Sequence, residues 1–335
     1  PGDLSKIGFS IFYMMVNVGG FSGKIIAKVL RQDLGGRLSQ SSYGAIRDWV
    51  QRSVPPFSMT SEIAQRAAEQ NPPMTGAAFL EMLKWQGFGM QVICFFSMTM
   101  ALVALGFTAL AYREPDRSGE PVRSPRVAFT DMFRVLTDRK FMTFILIFAG
   151  FDLMFWQLYL SVPLYVVRHI SERAPMEQIV AINPGMIILF QMPVAWAVRK
   201  MKPLGAMALG MGISTLAMVL LGLMPTLRGA CISIAVFAFG EMTFAPRFLD
   251  YVAGMAPKGK VGLYLGYSYL RSFFANLLGG PLSGFLVARY VPETGVREPR
   301  KMWFTFAAVG IAALVALFIY NRVAVGDDAG GEAAN

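Results

Sequence analysis

GEMTFAPRFLDYVAGMAP, Gly240–Pro257, is an apolar helical run that nevertheless carries Glu241, Arg247 and Asp250. A carboxylate at mid-bilayer depth costs several kcal/mol unless it is paired, hydrated or protonated. Glu241 therefore has to face protein or a water-filled cavity, which makes it a functional-site candidate. Ala245 and Phe248 follow at +4 and +7 and share its helix face, so the carboxyl looks along an apolar, partly aromatic surface. A carboxyl balanced between desolvation and a nearby cation can load and release a proton. Asp250 lies about half a turn round and is placed to pair with Arg247 at i−3 near the end of the helix.

The rest of the chain is of the same kind. Hydrophobic residues make up 55% of the 335 and charged residues 16%, with a mean hydropathy of +0.48. Soluble chains of this length carry far more charge, so the composition reads as a polytopic membrane protein in a bilayer. The net charge of +10 is spread over the connections between apolar runs rather than clustered. It therefore points to membrane orientation and anionic lipid, not to nucleic acid. Cys94 and Cys231 both lie inside apolar runs and imply neither a disulfide framework nor a thiolate metal site.

At about 20 apolar residues per span, eight helices are expected, over 7–30, 88–112, 141–168, 179–199, 204–224, 229–254, 261–288 and 303–321. Nothing alternates like a strand, and backbone groups in lipid must then be satisfied within helices. Residues 31–84 form a long polar connection punctuated by Pro55-Pro56 and Pro72-Pro73, with a short surface helix over 61–70; a lid, a partner surface and an inert insertion all suit it. The Arg- and Pro-rich stretch 113–140 reads as a cytoplasmic linker with an interfacial helix over 130–138. On that assignment Lys and Arg tie across the two faces, and favour the linker side only when the long loop is set aside. Six helices follow the linker as three plus three of similar length, as in inverted repeats. Residues 323–335 are expected to be a disordered tail.

Several polar residues recur at helical spacing. Tyr13, Asn17, Lys24 and Lys28 fall on one face of the first helix. Asn17 suits either a ligand or a bond to a neighbouring helix, while the lysines suit snorkelling to an interface. Asp152, Trp156, Tyr159 and Pro163 fall on one face of the third helix, and a buried Asp there is hard to explain by packing. Tyr264, Tyr267, Arg271, Phe274 and Leu278 form a further stripe. Arg271 is the strong base well inside a span and needs a carboxylate, either Glu241, Asp152 or a substrate's own. Asn183 precedes Pro184 where a helix starts or kinks. His169, the single histidine, sits at a helix end and reads as solvated. No catalytic constellation, cofactor motif or metal cluster stands out, so the chain does not read as an enzyme.

Three of these stretches resemble the proton-coupled oligopeptide transporters of the major facilitator superfamily. FYMMVNVG, Phe12–Gly19, is similar to the F-Y-x-x-I-N-x-G signature of that family's fifth helix, with Val16 in place of Ile. Asn183-Pro184 resembles the N-P of its eighth helix, and Glu241, Pro246 and Ala256-Pro257 resemble its tenth. The resemblance implies an all-α membrane protein of major facilitator fold. It also implies the last two helices of an amino-terminal bundle (1–112, with 31–84 as a long extracytoplasmic loop), the linker (113–140) and a complete six-helix bundle (141–322), with earlier helices of the same protein expected before Pro1. It further implies symport of protons with a short peptide or peptide-like solute by alternating access, in the bacterial inner membrane. Tyr13, Asn17, Trp156, Asn183, Glu241 and Tyr267 would line the substrate site, and Glu241, Asp152 and Arg271 would couple to protons. Ala245 and Phe248 stand where the family carries Ser and Gly, which leaves another organic solute, such as a drug, a sugar or an organic anion, as the alternative. A transport-inactive membrane sensor working through the 31–84 loop is a third reading.

Overall fold

The computed structural model of the chain describes residues 2–29, 52, 61–68, 75–111, 125–171 and 174–332. Most of the 31–84 connection and the first part of the 113–140 linker lie outside them, as do both proline pairs of the long loop. The helices are α1 Gly2–Lys28, α2 Ser61–Ala68, α3 Gly76–Ala111, α4 Pro125–Thr137, α5 Arg139–Phe155, α6 Gln157–Leu160, α7 Val162–Tyr165, α8 Met176–Ala197, α9 Pro203–Leu223, α10 Leu227–Met255, α11 Val261–Tyr267, α12 Leu270–Tyr290 and α13 Pro299–Glu332. No strand occurs among the described residues. Among the described residues, seven stretches are long and apolar enough to cross a bilayer: 8–26, 91–111, 139–160, 176–197, 203–223, 227–255 and 299–323. The protein is an all-α, multi-pass integral membrane protein.

Five sequence expectations are modified. α3 already begins at Gly76, inside the stretch 31–84 expected to be a connection. The helix expected over 261–288 divides at Ser268 and Tyr269 into α11 and α12 and is not among the seven apolar spans, because Arg271, Ser272 and Asn276 make its first turns polar. The helix expected over 141–168 is interrupted at Trp156 and Ser161 and ends in a π-turn, Val166–Ile170. Pro163 accounts for the interruption at Ser161: it has no N–H to offer the carbonyl of Tyr159, and its ring crowds that carbonyl. Asn183-Pro184 lies within α8 rather than at its start. α13 continues past residue 322, where a disordered tail was expected, to Glu332.

The chain separates into two compact units, Pro1–Phe21 with Val122–Asn335, and Ser22–Pro121. In the smaller unit α2 lies against the start of α3, burying Ala67 and Phe79. In the larger unit the core follows from one helical repeat: Phe141, Phe144, Phe148, Phe151 and Phe155 recur every three or four residues on α5 and form a continuous apolar stripe. That stripe meets Phe244 and Phe248 of α10, with ring centroids 4.9 Å apart for Phe151–Phe244 and 4.8 Å for Phe148–Phe248. Asp138 ends α4 and caps α5, its carboxylate accepting from the Phe141 N–H at 3.0 Å and from the Tyr264 hydroxyl at 2.7 Å.

α9 and α10 cross at Gly210 and Gly240. A Cβ on Gly210 would stand 2.6 Å from the Gly240 carbonyl oxygen, and one on Gly240 would stand 2.2 Å from Ser214 Oγ and 2.6 Å from the Gly210 oxygen. Only residues without a side chain allow backbones this close, the usual device for holding helices together in lipid. Because Gly240 faces α9, the next residue, about 100° round the helix, faces elsewhere. That residue is Glu241.

Candidate functional site

Glu241 stands midway along α10, about 21 Å of helical rise from either end. It is only 5% exposed, so the carboxylate is enclosed by protein. Two of its hydrogen-bond donors come from other helices. The Tyr13 hydroxyl of α1 donates to Oε1, and Asn183 Nδ2 of α8 donates to Oε2 at 2.8 Å. Tyr159 of α6 extends the chain, its hydroxyl donating to Asn183 Oδ1 at 3.3 Å. The Trp156 ring lies 5.7 Å from that of Tyr159, and its indole N–H is buried with no hydrogen-bond partner among the described residues.

The local sequence explains the arrangement. Tyr159, in the short α6 that follows Phe155, reaches across to α8. Gly185, two residues past Asn183, lets α1 approach closely: a Cβ there would lie 3.3 Å from the Phe21 ring. Tyr13 then packs into a small core of Ile187, Ala238 and Met242 between α8 and α10. One carboxylate, two phenols and an amide are thus linked in one hydrogen-bonded chain, with the Trp156 ring beside it. Such a group can hold a polar ligand atom or exchange a proton without exposing a charge to lipid.

The remaining expected residues fall elsewhere. Asn17 donates to the Tyr13 carbonyl one turn back, at 3.0 Å. Tyr267 packs half-buried against the main core, with no hydrogen bond to the Glu241 cluster. Asp152 and Arg271 form a second polar centre, with Nη1–Oδ1 at 2.8 Å, and the Ser272 hydroxyl donates to Oδ2 at 3.1 Å. Of the partners open to Arg271, the structure pairs it with Asp152. The guanidinium also lies 4.2 Å over the Phe248 ring, a cation–π contact that partly replaces its lost hydration. Arg247 is buried and donates to the Val198 carbonyl at 3.1 Å. His169 is stacked on Tyr165, 5.7 Å between centroids, rather than free in solvent.

Two features escape the sequence reading. Tyr159 falls on the Asp152 face by its spacing, but nothing local indicates that it reaches Asn183. Gln157, Ser161 and Ser283 form a buried polar chain, Ser161 Oγ donating to Gln157 Oε1 at 2.6 Å and lying 2.8 Å from Ser283 Oγ. A Ser at i+4 from a Gln in an apolar run is the only sequence signal for it.

The solved structure of a peptide transporter POT in complex with sulfate superimposes on 95% of the chain and 67% of its own, with a TM-score of 0.52 and 15% identity. The chain has the major facilitator fold. The resemblance drawn from the three motifs is borne out at that level. Among curated proteins, the multidrug resistance protein MdtH of Yersinia enterocolitica is 27% identical over 190 residues, covering 56% of this chain and 46% of the relative. MdtH of Cronobacter sakazakii is 25% identical over 257 residues, covering 76% and 62%. The chain therefore spans about half the length of the curated relatives it matches. No protein-family profile matches it. A multi-pass helical protein with these bacterial relatives is a protein of the bacterial inner membrane.

Proposed function

We propose that the protein is a proton-coupled secondary transporter that moves an organic solute by alternating access, with Glu241 as the group visited in turn by a proton and by the solute. The observation that carries this is an acidic side chain held midway along a spanning helix, enclosed, and served by donors from α1 and α8. A purely structural role does not require that expense, since an apolar residue would pack there at lower cost. In this reading an amine or other donor on the solute displaces the Tyr13 or Asn183 donor from the carboxylate. The Trp156 N–H, buried without a partner among the described residues, supplies a donor to an acceptor on the solute. Asp152 and Arg271 are the second ionisable centre and would respond to the proton released.

Peptide-like solutes are the reading supported by the three motifs. Similarity to the multidrug resistance proteins favours a second, in which the solute is a drug-like organic molecule. The test is transport by the protein expressed with whatever sequence its gene places before Pro1, assayed with a labelled dipeptide panel and a panel of dyes and drugs under an imposed pH gradient. Glu241→Gln, which keeps the shape and removes the titration, is expected to abolish pH-driven movement while leaving solute exchange measurable. Transport by Glu241→Gln with its pH dependence intact would remove Glu241 from coupling, and movement of neither panel would overturn the assignment.

A further inference from the structure

A groove of about 460 Å³ runs along the outer face of the larger unit between α9 and α13, lined by Gly205, Ala208, Leu209, Gly212, Leu216 and Phe318. We propose that it is a binding site for one anionic phospholipid, which lays an acyl chain in the groove and sets its phosphate among Lys200, Lys202 and Arg322. The proposal is independent of the transport reading.

The dimensions are those of a single lipid chain. From Gly205 to Leu216 is about 17 Å of helical rise, roughly half of the ~30 Å hydrocarbon core and so the depth of one leaflet. The groove exists because side chains are missing: a Cβ on Gly205 would meet nothing within 4 Å, and one on Gly212 would meet only Leu314 Cδ2, at 3.9 Å. Leu209 and Leu216 are exposed along its edge at 44% and 51%, as suits contact with a hydrocarbon tail.

The charges are at the matching end. α9 and α13 run antiparallel in fixed register, since Gly222 meets Phe304, Thr215 meets Gly310 and Gly212 meets Leu314. Continuing that register places Arg322 level with Leu204, two residues from Lys202. Arg199, Lys200, Lys202 and Arg322 are all exposed, and none has an ion-pair partner among the described residues. The nearest acids in sequence, Asp327 and Asp328, follow Arg322 by more than a helical turn. Trp196, 66% exposed and stacked under Arg199 at 4.7 Å, marks the depth at which amphipathic rings meet headgroups. Cations near an anionic leaflet attract it individually. Here Lys202, the residue before α9, and Arg322, level with the first turn of α9, stand at the mouth of a groove that fixes where the lipid lies, and Lys200 is two residues before Lys202.

The test is native mass spectrometry of the full chain extracted from bilayers holding phosphatidylglycerol and phosphatidylethanolamine with the same acyl chains. One phosphatidylglycerol is expected to be retained in preference. Lys200→Gln/Lys202→Gln/Arg322→Gln should lower that preference on the order of 100-fold, three cations at about fivefold each. Gly205→Leu, which fills the groove with the charges intact, should remove retention of both lipids. Lys258→Gln/Lys260→Gln, in the connection between α10 and α11 at the same end of the bundle, serves as the control and should change nothing. Equal loss in the control would mean general surface attraction, and undiminished retention in both site variants would mean lipid held elsewhere. A dimer lost on Gly205→Leu would mean a second copy fills the groove. Each of these three results overturns the proposal.

Discussion

Replacing Arg271 with Gln leaves Asp152 as a carboxylate that is 2% exposed, with the Ser272 hydroxyl as its remaining donor. Removing one partner of a buried ion pair costs about 3–5 kcal/mol, because the survivor is desolvated without compensation. Asp152→Asn strands the guanidinium instead, but its side chain is 21% exposed and it keeps the Phe248 ring at 4.2 Å. That loss should lie at the lower end, about 3 kcal/mol. In Asp152→Asn/Arg271→Gln both charges are gone and two amides can bond each other, so the double variant should be more stable than either single one. The expected coupling is about 2–3 kcal/mol, in the range seen for residues in direct contact. Equilibrium unfolding in mixed micelles of mild detergent and dodecyl sulfate, followed by helical circular dichroism, measures all four proteins on one scale. If the two single losses are each under about 1 kcal/mol and simply add, the pair is no more than a surface-like contact, and the account of a buried second ionisable centre fails.

Three further outcomes are expected. Gly240→Ala should cost about 1–3 kcal/mol by overpacking, and adding Ser214→Gly should recover only part of it in the same unfolding assay, because the Gly210 carbonyl oxygen still stands 2.6 Å from the new Cβ. Asn183→Ala removes the 2.8 Å donor to Glu241 and should cost about 1–3 kcal/mol as a buried acceptor loses its partner; a loss within error of zero would show that water or another group already serves that oxygen. The His169 imidazole should titrate below its usual 6.5, chiefly because burial disfavours the cation and secondarily because Arg297 is near. The sign is that of a base depressed in the folded state, so stability is full above pH 6.5 and declines as the pH falls from there through the folded value. Proton resonance of this single histidine reads the midpoint directly, and a value at or above 6.5 would contradict the packing seen at Tyr165.

The class of the protein was legible because lipid imposes a simple rule: every backbone group must be bonded within its own helix, so spans show themselves as apolar runs of fixed length. Glu241, Asp152, Asn183 and Arg271 stood out for the same reason, since each is costly in hydrocarbon and needs an explanation wherever it points. What those residues explain was decided by tertiary packing. Nothing in the order of residues states that Arg271 takes Asp152 rather than Glu241, or that Tyr159 reaches Asn183. Those pairings depend on a helix broken before Pro163 and on a glycine crossing that turns Gly240 to α9 and Glu241 the other way. Local sequence sets which side chains share a face, because that follows from 100° per residue. Which faces meet depends on contacts between residues distant in the chain, from 24 positions for Tyr159 with Asn183 to 228 for Tyr13 with Glu241.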